Sequence, residues 1–248
     1  MSTEKTQALI LRLADFSESS RVVTMFTRDF GQISALAKGA KRINGPFESA
    51  IDLLTVSQIV FIRKSTNSLD LLTEAKLISR FRPHGKDLYG LYAGYYLAEL
   101  LASLTEQYDP HPILFDHALQ DLEQLSAGEP AGLVCLRFEI TILREIGLLP
   151  EFGGCAVCET PVTSDQRYAY WVAHSALICA SCQQHISNTD QISAETAGLL
   201  SQLALDIELA DVLKRASIEQ VRQMRRVFTA AISHTLGRRP KMLKYISP

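Results

Sequence analysis

The chain has 248 residues, 47% hydrophobic and 21% charged, with 25 Lys+Arg against 27 Asp+Glu for a formal net charge of −2. That composition excludes an extended disordered or low-complexity chain and leaves enough length for one or two domains with a sizeable core. The longest uncharged apolar stretch, Leu88 to Ala98, falls short of the roughly 18–20 residues a membrane span needs, and Met1-Ser2-Thr3-Glu4-Lys5 lacks the layout of a signal peptide, so the expectation is a cytoplasmic chain whose five cysteines are thiols or metal ligands.

The first eighty residues read as short strands between turn signals: Ala8–Leu13, Arg21–Thr27, Gln32–Lys38, Val56–Arg63 and Leu69–Leu77. Arg28-Asp29-Phe30-Gly31 and Asn44-Gly45-Pro46 supply the positive and fixed φ that turns require, and Ser65-Thr66-Asn67-Ser68 is a polar loop. Five such strands fit a Greek-key barrel of the OB type, with an SH3-like barrel or open meander as the alternative. From Lys86 the period lengthens, and Leu88, Leu91, Tyr92 and Tyr95 open a helical region. Further helices are expected from Pro112 to Leu125 and from Pro130 to Ile146, the latter stopped by Gly147 and Pro150. Ser193 can cap a helix to about Leu209, and Ser217 with Gln220 forms a capping box for a last helix to Leu236.

Between those helices, Cys155-Ala-Val-Cys158 and Cys179-Ala-Ser-Cys182 are two CxxC pairs separated by 20 residues. A two-residue spacer lets a tight turn aim both sulfurs at one point, and two such knuckles complete a tetrahedral thiolate shell. Four protein ligands leave no open position for water, so a zinc ion held there would be structural. A paired dithiol switch and an iron–sulfur cluster are the alternatives. His174 and His185 read as surface or neighbouring residues, and Cys135 as a small buried residue of the third helix. The fold class expected is α+β, with an OB barrel over 1–82, a helical domain over 83–150 and 187–248, and a zinc-ribbon-like insert over 151–186.

Formal charge is uneven across these segments: +4 for 1–82, −7 for 83–150, −2 for 151–186 and +3 for 187–248. Screening confines surface charge interactions to about 8–10 Å, so local patches can bind a polyanion despite the negative total. Lys38-Gly39-Ala40-Lys41-Arg42 is the densest cluster. Its glycine would let backbone approach a phosphate while the cations displace condensed counterions, and a solvated loop is the alternative. Arg12, Arg21 and Arg63 would support it from strand ends. On the last helix Arg222 and Arg226 share a face, followed by Arg238, Arg239, Lys241 and Lys244; a solvated basic face is the ordinary reading of such a run. The sequence contains no GxSxG, HExxH or GxGxxG pattern and no cysteine nucleophile with an evident partner, so a non-enzyme is expected.

Ala8-Leu9-Ile10-Leu11, Glu18-Ser19-Ser20-Arg21-Val22-Val23-Thr24-Met25-Phe26-Thr27, Gly31 and Ala37-Lys38-Gly39-Ala40-Lys41-Arg42 together resemble the opening of the bacterial RecO family of DNA repair and recombination mediators. The likeness continues through Tyr96-Leu97-Ala98-Glu99-Leu100-Leu101, Leu136-Arg137-Phe138-Glu139, Ile146-Gly147-Leu148-Leu149-Pro150 and the four cysteines. Two departures are His174-Ser175, where the family often has a glycine pair, and Lys241-Met242, where a Lys-Ser pair is common. The resemblance implies an OB-fold, a helical domain interrupted by a zinc-ribbon-like module, binding of single- and double-stranded DNA, and annealing of complementary strands. It also implies engagement of RecR and of the acidic C-terminal tail of single-stranded-DNA-binding protein, help in loading RecA, and association with the bacterial nucleoid. Under it, Lys38, Lys41 and Arg42, supported by Arg12, Arg21 and Arg63, would hold phosphates. Arg137 near Leu133, Leu136 and Tyr92 would take the acidic tail, since such a peptide needs a cation beside an apolar hollow; an intradomain salt bridge is the other reading of Arg137. The competing function is a zinc-stapled protein-interaction scaffold without nucleic-acid activity, and a thiol-redox protein stands behind it.

Overall fold

A computed structural model describes the chain except residues 1, 43, 44, 46, 48, 65–68, 165, 185, 187, 188, 204–208, 247 and 248. The expected loop Ser65–Ser68, His185 and most of the Asn44-Gly45-Pro46 turn lie outside the described residues. The chain forms two compact units, Met1–Glu129 and Pro130–Pro248.

In the first unit, β1 (Ser2–Asp15), β2 (Arg21–Thr27), β3 (Gly31–Ala37), β4 (Thr55–Arg63) and β5 (Asp70–Arg80) close a barrel in the order β1-β2-β3-β5-β4. Every pairing is antiparallel except β3 with β5, and with β4 returning to β1 this is the OB arrangement. Strict alternation on β3 sends Ile33, Ala35 and Ala37 inward to join Ala8, Ile10, Val23, Met25, Ile59 and Phe61, and leaves Gln32, Ser34 and Leu36 on the outer face. β1 is more than twice as long as the expected strand. Its first half pairs with β4, from Ser2↔Arg63 to Leu9↔Val56, and its second half with β2, with an irregularity between Ile10 and Arg12 that bends it from one partner to the other. Ser2–Gln7 carries no apolar alternation, so barrel closure rather than local pattern makes it a strand.

After the barrel, α1 (Leu88–Leu104) is capped by the Asp87 carboxylate, which accepts from the Tyr89 N–H, and α2 (Pro112–Ala127) ends at Gly128 with φ 95°. These helices group with the barrel, where the sequence reading placed them in a helical domain from residue 83. Phe115 of α2 packs on Phe26 of β2 with ring centroids 6.2 Å apart, and Arg28 makes a bidentate pair with Asp116 at 3.1 and 2.8 Å. The segment joining α1 to α2 also docks on the barrel, with the Tyr108 N–H donating to the Gln32 carbonyl at 3.1 Å.

The second unit opens with α3 (Ala131–Glu145), followed by β6 (Glu151–Cys155), β7 (Tyr168–Trp171), β8 (Ala176–Cys179), a single turn α4 (Ala180–Gln183) and β9 (Thr189–Ile192). The four strands form a sheet in the order β6-β8-β7-β9. Then come α5 (Ala194–Gln202), α6 (Leu209–Arg215), α7 (Ile218–Leu236) and a 3-10 turn over Lys241–Tyr245. The capping box at Ser217 and Gln220 and the Ser193 cap are both formed. The helix from Ser193 is described only to Gln202, and α6 is an additional helix. α7 lies against α3, where Arg225 donates to Glu139 at 3.2 Å with both side chains buried. No helix among the described residues is long and apolar enough to cross a membrane.

Candidate functional site

The four paired cysteines come together as their spacing predicts. Cys155 ends β6, Cys179 ends β8, and Cys158 and Cys182 lie in the turns that follow, with all four sulfurs within 4.8 Å of one another. Sulfurs about 2.3 Å from a tetrahedral ion stand about 3.8 Å apart, and Cys158 Sγ lies 3.9 Å from Cys179 Sγ. The parallel pairing of β6 with β8 brings the two knuckles side by side, and the Cys179 N–H donates to Cys155 Sγ at 3.4 Å.

The electrostatics match a ligand set. Thr160 Oγ1 lies 3.2 Å from Cys158 Sγ, and its hydroxyl is the main reason that the Cys158 thiol is pulled down to about 6. Burial alone would raise Cys155, but the backbone N–H groups of Cys158 and Cys179 outweigh it and lower the thiol. Cys182 is held up at about 12, first by its hydrogen bond with Cys179. Crowded sulfurs thus keep a proton that a cation would displace. His174 is not among the converging ligand atoms: its ring stacks on Trp171 with centroids 3.6 Å apart. Ser175 beside it takes a left-handed φ of 48°, the conformation that favours glycine, at one of the two positions where the sequence departs from the family pattern.

Four of the six candidate barrel cations, Arg21, Lys38, Lys41 and Arg42, gather around the ends of three neighbouring strands. Registers Asp15↔Arg21 and Arg21↔Ala37 run across β1, β2 and β3. Asp15 accepts from Arg21 Nε at 3.2 Å and from Lys41 Nζ at 2.9 Å. These contacts, Lys41 first, lower the Asp15 carboxyl below its ordinary range. Lys41 also donates to the Ser17 carbonyl at 3.0 Å, and its backbone N–H to the Ser19 carbonyl, tying the loop after β3 to the loop between β1 and β2. Lys38 and Arg42 are exposed on either side of Gly39, whose φ of 77° makes the turn that the Arg42 N–H closes onto the Gly39 carbonyl. Arg12 is exposed on the outer face opposite Thr24, itself 3.4 Å from the Ser34 hydroxyl.

Arg63 stands apart from that group, at the opposite end of β1, paired in register with Ser2. Its guanidinium lies 4.0 Å above the Tyr108 ring. Tyr108 donates its hydroxyl to Asp70, whose other oxygen accepts the Lys64 N–H at 3.0 Å. Burial first, then Asp70, pushes the Tyr108 hydroxyl up to about 12. Two contributors escaped the sequence reading: Tyr108, whose partners are distant in sequence, and Phe16. Phe16 is 61% exposed in the loop between β1 and β2, beside the Asp15 cluster. Its signal was legible, an aromatic alone in the polar run Asp15-Phe16-Ser17-Glu18-Ser19-Ser20.

The four residues expected to hold an acidic tail divide between the units, Tyr92 on α1 in the first and Leu133, Leu136 and Arg137 on α3 in the second. Leu136 is fully buried in its unit, so of the α3 residues Leu133 and Arg137 are the ones that reach its surface.

A family model described as recombination protein O N terminal matches residues 1–81, and one described as recombination protein O C terminal matches residues 85–244. A DNA repair protein RecO of Rhodopirellula baltica is 40% identical over 203 residues, 82% of this chain and 75% of that protein. The DNA repair protein RecO of Anaeromyxobacter dehalogenans is 30% identical over 239 residues, 96% of this chain and 94% of its own length. That of Bacillus subtilis is 29% identical over 196 residues, 79% and 75% of the two chains.

Proposed function

The chain belongs to the recombination protein O family, and from that premise we propose that it is a DNA repair and recombination mediator that binds single- and double-stranded DNA through its barrel. The supporting observation is the group Arg21, Lys38, Lys41 and Arg42 at one end of a closed OB barrel, beside the exposed ring of Phe16, with Arg12 exposed on the outer face of β1. Backbone phosphates are held at Lys38 and Arg42, and a base stacks on Phe16. Lys41 and Arg21 share Asp15, so their part is mainly to hold the two loops together. Arg63 adds a separate contact from its place on Tyr108. Bases left facing outward can pair with a second strand, so annealing needs no chemical catalyst, only neutralised phosphates and strands kept near each other. The protein acts without bond-making chemistry of its own. With RecR it helps load RecA onto strands coated by single-stranded-DNA-binding protein, whose acidic tail it engages, and it works at the bacterial nucleoid.

Cys155, Cys158, Cys179 and Cys182 would hold one zinc ion that supplies a structural cross-link between β6 and β8 and takes no part in DNA chemistry. The interface is tested by the salt dependence of oligonucleotide affinity. Replacing Lys38 and Arg42 by alanine should make the plot of log K against log salt shallower by about 1.4, at about 0.7 per lost single-strand phosphate contact. Lys41→Ala should change it less, because Asp15 already neutralises that ammonium. An unchanged slope in the double variant would remove these residues from the interface.

A further inference from the structure

The C-terminal arginines form a built site in the second unit. Arg222, Arg225 and Arg226 share a face of α7 with Thr229, and together with Arg239 they surround a hollow of about 110 Å³ closed by Leu243 and Ile246. The geometry follows from the chain's path. Gly237, with φ 63°, ends α7, and Pro240 starts the 3-10 turn over Lys241–Tyr245, so the chain after the helix lies against its last turns.

Charge in the hollow is unbalanced. Arg225 is buried and neutralised by Glu139 at 3.2 Å, which makes it part of the floor. Among the described residues Arg222 has only Glu219 as a carboxylate partner, 3.9 Å away and exposed, and an exposed pair at that range is worth little. Arg226 and Arg239 have no carboxylate partner among the described residues. Three guanidinium groups around one small space repel one another until an oxyanion enters. A hollow of that size has room for one tetrahedral oxyanion among the guanidinium groups. In the 3-10 turn that supplies Leu243, Tyr245 is 43% exposed with Lys244 Nζ 4.6 Å over its ring. Cations around a phosphate-sized hollow with an exposed aromatic alongside are the pairing of features that a single strand requires.

We infer that this hollow is a second single-strand site, taking a backbone phosphate between Arg222, Arg226 and Arg239 with a neighbouring base on Tyr245. The inference rests on the DNA reading of the barrel and extends it. Annealing brings two strands together, and a chain with one strand site in each unit can hold both.

The full-length, metal-replete protein is titrated at low salt with a fluorescent oligothymidine of about a dozen nucleotides, within the site sizes such proteins cover. The wild type should bind two strands per chain. The triple variant Arg222→Ala, Arg226→Ala, Arg239→Ala should bind one, with the remaining affinity within about twofold of the barrel site's, and should anneal complementary strands at least tenfold more slowly. The matched variant Lys38→Ala, Lys41→Ala, Arg42→Ala should also bind one. Replacing Arg226 and Arg239 by lysine should keep two strands bound, which separates charge from fold, and Arg225 stays in place because its pair with Glu139 is structural. A wild-type stoichiometry of one, lost only in the barrel variant, would overturn the second site while leaving the barrel reading intact. Loss of binding to an acidic peptide in the arginine variant, with two strands still bound, would overturn it in favour of a protein-docking hollow. No strand bound by the wild type would overturn both readings.

Discussion

Glu139 and Arg225 join α3 to α7 in the second unit. Their buried pair at 3.2 Å means that Glu139→Ala strands a guanidinium away from water, at a cost of about 3–5 kcal/mol. Replacing both by methionine should recover most of that loss, a difference readable in urea midpoints; equal losses in the single and double variants would contradict it. Gly31 plays the corresponding part in the first unit. Its φ is 64° and a Cβ there would sit 2.0 Å from the Asp109 carbonyl oxygen, so Gly31→Ala should cost about 3 kcal/mol or more. A variant within 1 kcal/mol of wild type would show that the segment joining α1 to α2 does not dock there. Tyr170 sets a pH dependence. Burial raises its hydroxyl to about 12 from the ordinary 10, so the folded state holds that proton more tightly than the unfolded chain. Its contribution is fully present below pH 10 and is lost as the pH rises from 10 to 12. Tyr170→Phe should flatten the fall in stability over that interval, and an equal fall in both proteins would assign it elsewhere. The cysteines and Gly39 were legible residue by residue, because CxxC spacing and a Lys-Gly-Ala-Lys-Arg turn carry their geometry locally. Tyr108 was not, since its meaning comes from Gln32, Asp70 and Arg63.

At the scale of elements, the sequence marked strands by alternation and helices by caps, and it succeeded where those signals are local. β3 alternates without a break, and the Ser217–Gln220 capping box opens α7 as expected. It failed where tertiary pairing decides. The first half of β1 is a strand because β4 lies beside it, and β6 and β9 are five- and four-residue segments too short to show a period. The sulfur cluster lies at the ends of β6 and β8, so a zinc ion held there would tie the sheet β6-β8-β7-β9 together, and its removal should loosen that sheet first. Chelation, or Cys155→Ser with Cys179→Ser, should release one equivalent of zinc, lower the melting temperature and change the fluorescence of Trp171 on β7, the single tryptophan. Full stability and an unchanged spectrum after metal removal would contradict a structural ion. The boundary expected after residue 82 follows the change from period two to helical period, whereas compactness follows packing. Phe26 against Phe115 and Arg28 against Asp116 attach α2 to the barrel.

For the whole molecule, a formal charge of −2 conceals positive N- and C-terminal segments around an acidic middle. Those two segments carry the barrel cations and the arginine hollow, one in each compact unit. Total charge therefore predicts little about binding here, while the local arrangement predicts a steep salt dependence. The most direct test mixes the protein with two complementary fluorescent oligonucleotides and follows their pairing over a salt series, on bare strands and on strands coated with single-stranded-DNA-binding protein. Accelerated pairing that weakens as salt rises and persists on coated strands is the predicted result. No acceleration by metal-replete protein at low salt would contradict the mediator reading and return the chain to the class of protein-interaction scaffolds.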